Sequence, residues 1–256
     1  ILTNPFGRVG IDPSLVDVDS FVDCATTLRD EENGVSIVFA GSQEAQQVIE
    51  TLLRQIDAVM FEDPATRKLV LKLIREDYVI DDLPVVDPSN TLGVPDKPGT
   101  LWTSTVNVVR VTWSDPAKGY RDSVAPAENP ANIAAQGGYQ RPRDFSFPGV
   151  TNERLAYFLA NRELNFLSRP LERLVIEVNR TLFDLRPGDP FLFSWPSWNG
   201  YSNVFRVMDL DAGTLGHGSI QITAVQDRFA FAANVTDPPE EVGPSDVDPK
   251  PITERT

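Results

Sequence analysis

Asp209 and Asp211 lie two residues apart in VMDLD, and Asp227 follows sixteen residues later. On a strand that spacing puts the first two carboxylates on one face, and with Asp227 they offer oxygen ligands to Ca²⁺. No adjoining run supplies six or more oxygens, so a solvated strand end is the stronger reading. Other carboxylates invite comparison with hydrolases that use an acid pair about 5–10 Å apart. Yet Asp63, Asp87, Asp115 and Asp189 all sit in turn-forming contexts, where a carboxylate's ordinary work is to bond the local backbone. His217 is the only histidine and Cys24 the only cysteine. His217 falls in GTLGHGS, which reads as a turn. Ser-His-Asp or Cys-His catalysis, multi-histidine metal sites and an intrachain disulfide therefore have no basis. GxGxxG after a strand, the P-loop, GxSxG and HExxH are all absent. No catalytic residue, metal site or cofactor is assigned, and the chain is read as a non-enzyme.

The remaining chemistry is aromatic. LRPGDPFLFSWPSWNGYSNVFRV carries Trp195, Trp198 and Tyr201 around a proline-containing loop. Phe191, Phe193 and Trp195 share one strand phase and read as core. Trp198 lies inside the loop. Trp198 and Tyr201 are the candidate contacts to a subunit, a partner or a sugar, since an exposed indole suits each.

These residues must be positioned by 256 residues of which 41% are hydrophobic and 23% charged, enough for one large core or two modest ones. The net charge of −14 removes the general basic-patch route to nucleic acid. No apolar run approaches the roughly 20 residues of a membrane span, so no stable membrane insertion is expected.

Residues 1–80 read as a small α+β unit. Asp19 is a candidate cap for a first helix through Glu32, with Gly34 after it and Val18, Phe21, Val22, Ala25 and Leu28 on its apolar face. VSIVFA reads as a strand. Ser42 caps a second helix with Ala45, Val48, Ile49, Leu52 and Ile56 as its stripe, and two strands flank Asp63-Pro64-Ala65-Thr66. Residues 81–103 are a Pro/Gly-rich connector without regular structure; 81–100 alone hold four prolines and two glycines. Residues 104–235 read as a β-rich unit, antiparallel and barrel- or sandwich-like, with one longer helix. Its parts are a strand through NVVRVTWSD, a return through YRDSVAPA, a short helix opened by Asn129 or Glu128, and an extended YQRPRDFSFPGV. A longer helix capped by Thr151 follows, with Leu155, Phe158, Leu159 and Phe166 on its apolar side. LERLVIEVNR and a hairpin around GTLGHG complete it. Residues 236–256 are acidic and proline-rich, a disordered tail or linker by composition. The fold class is therefore α+β.

In this order the phrases NVVRVTWSDPAKGYRD, SFPGVTNERLAYFLANRELNFLSRPLERLVIEVNRTLFDLRPGD and FRVMDLDAGTLGHGSIQITAVQD resemble bacteriophage tail proteins of the tip-attachment or baseplate-hub type, also found in gene transfer agents. ILTNPFGRVGIDPSLVD and AQQVIETLLRQIDAVMFEDPATRKLVLKLIREDY resemble the segment that precedes them there, so the likeness spans residues 1 to about 235. It implies an internal fragment of a homotrimeric hub in the virion tail tip, assembled in the host cytoplasm. Such a hub joins the tail tube end and distal tail protein to receptor-binding proteins in host attachment. DNA passes through its channel without sequence-specific binding. A carbohydrate- or receptor-binding module and a carboxylate-based cell-wall hydrolase are the alternatives.

Overall fold

The computed structural model describes residues 2–3, 10–37, 45–93, 105–213 and 218–230. The Ser42 cap, His217 and its turn, residues 94–103 of the connector, the second half of VSIVFA and the 236–256 tail lie outside the described residues.

Helix α1 (Val18–Asp30) and helix α2 (Ala45–Ile56) precede a hairpin of β1 (Ala58–Glu62) and β2 (Leu69–Leu73). The hairpin turns where Asp63 was expected to hold the backbone: its carboxylate accepts from the amides of Ala65 (3.3 Å) and Thr66 (3.2 Å). α1 differs from expectation. Asp17, not Asp19, occupies the cap position, and the left-handed residue after the helix is Glu32 (φ 55), not Gly34. Its inward face is also turned. Ser20 accepts from the Leu71 amide (3.2 Å) and Cys24 faces the Leu71 carbonyl, so these residues meet β2 while Val18 and Val22 stay exposed. The backbone edge of β2 sets that rotation, and no pattern within α1 encodes it. Residues 35–37 form no strand; the Ser36 amide donates to the Gly149 carbonyl (2.8 Å).

In the connector, where no regular structure was expected, β3 (Val85–Val86) pairs in parallel with β8 (Pro190–Trp195), and Val86 is wholly buried. β3 is the edge of a five-stranded sheet ordered β3-β8-β9-β10-β7, with β9 (Tyr201–Asp211), β10 (Ser219–Gln226) and β7 (Arg173–Asn179). β7 to β10 pair antiparallel as the alternation predicts, with a bulge between Thr223 and Ala224. Leu174, Ile176 and Val178 face inward, opposite Ile220, Ile222 and Ala224. Phe191, Phe193, Trp195 and Phe205 complete that core. Each such side chain contributes roughly 1.5–3 kcal/mol by leaving water.

A second, three-stranded sheet is ordered β5-β4-β6, from β4 (Val108–Asp115), β5 (Arg121–Glu128) and β6 (Pro142–Ser146). β6 lies parallel to β4. Between β5 and β6 runs α3 (Pro130–Ala135), capped by Asn129 as expected and stopped by the positive-φ pair Gly137 and Gly138. α4 (Glu153–Leu167) covers one face of this sheet with Leu155, Ala156, Leu159, Ala160 and Leu164. Its cap is Asn152, whose side chain accepts from the Arg154 amide (2.9 Å), rather than Thr151. Phe158, expected inside, is 56% exposed, because the sheet takes the small-residue face of Ala156 and Ala160. The whole is a small helical part followed by a strand-rich region with a curled mixed sheet resembling half a barrel, the expected α+β class.

The turn carboxylates behave as the sequence indicates. Thr66 holds the pKa of Asp63 down, Ser89 that of Asp87, and Lys118 with Ser123 that of Asp115. A lowered folded-state pKa means the unfolded chain binds more protons at acid pH. Their contribution is therefore full above the ordinary carboxylate range near about 4 and is lost as pH falls below it. Urea midpoints measured from pH 7 downward should drop across that window, and Asp115→Asn should flatten part of the drop.

Candidate functional site

The aromatic end and the charged junction beside it are the two places where side-chain chemistry concentrates. At the aromatic end, Trp195 closes β8 and Tyr201 opens β9 opposite it. The intervening loop closes on itself, the Trp198 amide donating to the Trp195 carbonyl (3.0 Å), with Asn199 (φ 59) and Gly200 (φ 73) both left-handed. Trp198 is half-buried against its own domain, 5.3 Å from Trp195 and 5.9 Å from Phe193 between ring centres. Its plane is tilted 42° to Trp195 and 69° to Tyr201. A flat sugar platform needs coplanar exposed rings, and this arrangement is a herringbone. Tyr201 donates its hydroxyl to Glu172, and burial together with that carboxylate pushes its pKa up.

The three acids first considered as oxygen ligands are divided. Asp209 and Asp211 are exposed, each bonding nearby backbone: Leu210 N at 3.0 Å and Gly213 N at 2.9 Å. Asp227 is 2% exposed and pairs with Arg206 at 2.9 Å. Among the described residues no group of three or more metal-ligating side chains converges.

Asp227 belongs instead to a charged junction that sequence reading missed. Arg206, itself 4% exposed, also donates to the carbonyls of Gly188 (2.8 Å) and Arg75 (3.0 Å). Tyr78 lies near Asp227, and burial plus that carboxylate raise its pKa. Arg228, next in sequence, pairs with Asp57 and donates to the Ile74 carbonyl (3.3 Å). Burial lowers its pKa to about 10, which leaves it charged at neutral pH. Arg75 grips Glu31 through two bonds (2.5 and 2.7 Å) and takes the Ile56 carbonyl at 3.1 Å. From the other side, Arg162 of α4 donates to the carbonyls of Gln55 (2.7 Å) and Arg54 (2.8 Å). The C-terminal carbonyls of α2 are thus capped by two arginines that face its negative dipole end.

Next to this junction the RPGD turn inserts into the first hairpin. The Asp189 amide donates to the Arg186 carbonyl (3.0 Å), and Gly188 takes φ 87. Lys72 bonds Asp189, and Arg186 bonds Asp63 at 3.0 Å. A Cβ on Gly188 would sit 2.8 Å from Val59 Cγ2 and 3.2 Å from Ile74 Cδ1. Gly188→Ala is therefore expected to cost about 1–3 kcal/mol from the left-handed backbone alone, with crowding added. A thermal or urea melt reads it directly; an unchanged midpoint would mean the turn is not seated as described.

A family model described as "Putative phage tail protein" matches residues 44–210, well over half of the chain. The chain belongs to this phage tail protein family. Two solved structures are similar to the chain in fold. One is a chain of the virion of a native gene transfer agent particle, 16% identical, with a TM-score of 0.56 over 77% of this chain and 42% of that one. The other is the tail protein from Neisseria meningitidis MC58, 13% identical, with a TM-score of 0.51 over 85% and 67%. The chain thus spans 42% of the length of the gene transfer agent chain. No curated protein matches it. Among the described residues no helix is long and apolar enough to cross a membrane.

Proposed function

We propose that this phage tail chain is a structural part of a tail-tip hub, one sector of a homotrimeric ring around the genome channel. In this role it links the tail tube to the receptor-binding apparatus and has no catalytic task. The observation that carries the reading is the fold shared with a gene transfer agent virion chain. The ordered series of segments resembling hub proteins supports it. The proposed organisation keeps residues 1–80 and 104–235 as two units joined by the connector, with 236–256 leading toward further domains.

Charge fits the task. DNA must slide without being held, and a chain of net charge −14 repels it. An assembled ring with a basic lumen would overturn that part. The test of the ring is the mass of the purified chain in solution: three times 28.3 kDa is expected, and a strict monomer at high concentration removes ring closure by this chain. Trp198 and Tyr201 are proposed to present their remaining exposed edges to the neighbouring subunit. Trp198→Ala should then shift the mass distribution toward monomer, and an unaltered distribution counts against the contact.

A further inference from the structure

We infer that the groove between residues 77–84 and the turn after β7 docks a basic, hydrophobically anchored peptide segment of a neighbouring protein. The groove has a volume of about 470 Å³. Its floor is apolar and fixed: Leu83, Leu182 and Leu185 are all buried, Leu182 and Leu185 within the main core. The segments lining it expose large side chains instead of hiding them. Val79 is 62% exposed, Ile80 50% and Phe183 59%. Single exposed hydrophobic residues are ordinary; Val79, Ile80 and Phe183 do not line the groove themselves, but they adjoin its lining residues Tyr78, Leu182 and Asp184 in the chain, and three together beside one groove mark a contact surface.

Charge selects the occupant. Asp77 and Asp184 line the groove, both exposed, and neither has an ion-pair partner among the described residues. Among the described residues Lys72 is the only cation of the lining, and Asp189 already neutralises it. Asp81 and Asp82, between the lining residues Tyr78 and Leu83 in the chain, are exposed and add to the local negative charge. Nucleic acid and anionic lipid are repelled by such a rim. A second copy of this chain, at −14, is a poor match as well. A peptide that places an aromatic or aliphatic anchor on the leucine floor and lysine or arginine beside Asp77 and Asp184 satisfies both features.

The recognition does not depend on where in the tail the chain sits, so its test is separate from the solution mass. The full chain is titrated with a fluorescein-labelled 12-residue peptide of alternating lysine and leucine around a central phenylalanine. Saturable binding is expected. Asp77→Asn with Asp184→Asn should weaken it at least tenfold, and Phe183→Ala at least threefold. The control pair Asp122→Asn with Glu128→Gln, on exposed β5 positions, should change it less than twofold. These positions are exposed, so the variants should keep the parent far-UV spectrum. Equal effects of the two charge pairs would reduce binding to net-charge attraction and overturn the proposal. Absence of saturable binding overturns it too, as does sedimentation showing that Phe183→Ala dissolves a self-association of the chain.

Discussion

Asp227→Ala is expected to lower the stability of the folded chain by about 3–5 kcal/mol, the cost of leaving a buried charge without its partner. Arg206 has no route to water: it is 4% exposed, and its other donors are committed to the carbonyls of Gly188 and Arg75. The measurement is a urea titration, in which the midpoint falls while the slope is kept. The pair replacement Arg206→Met with Asp227→Leu sharpens the test. Removing both charges ordinarily restores most of the loss. Here two carbonyls from different parts of the chain are left unpaired, so recovery should be partial. Full recovery would show that the carbonyl contacts contribute little.

Phe193→Ala is expected to cost about 3–5 kcal/mol, toward the upper end of that range for a large core ring. Phe193 is wholly buried and touches four aromatic rings. It stacks on Trp195 at 5.6 Å and 7°, meets Phe205 edge-on at 5.8 Å, and lies within 5.9 Å of Trp198 and 6.1 Å of Tyr201. Its loss opens a cavity beneath both indoles. Tryptophan emission should shift to the red along with the drop in midpoint, because Trp195 and Trp198 rest on the vacated ring. Trp198→Ala, from a half-buried position, should cost clearly less. The reverse order would mean that the loop, not the strand, organises this end.

What could be read from sequence was what neighbours along the chain decide. Leu174, Ile176 and Val178 alternate with polar residues, and Phe191, Phe193 and Trp195 alternate likewise; their faces followed directly from a period of two. Asp63, Asp115 and Asn129 bond backbone two or three residues away, so their roles were also local. The failures are contacts across long separations. β3 forms in a proline-rich stretch because β8 offers it an edge. α1 turns Cys24 inward because β2 lies there. Asp227 was counted with Asp209 and Asp211 because all three are carboxylates near strand ends. Only the pairing of β9 with β10 reveals that Arg206 claims it. The groove beside Tyr78 was equally hidden, since its two walls are about a hundred residues apart in the chain.

The arginine contacts around α2 carry a consequence for how the chain is made. The Ile56 and Ile74 carbonyls can be capped early by Arg75, but the carbonyls of Arg54 and Gln55 wait for Arg162, and Asp57 waits for its close pairing with Arg228. During synthesis, residues 1–80 therefore leave the ribosome lacking partners that appear only 107 or more residues later. Such delayed, sequence-distant closure slows folding and lengthens exposure of unfinished surfaces. The amino-terminal portion should remain protease-sensitive on stalled nascent chains until β10 and Arg228 have emerged.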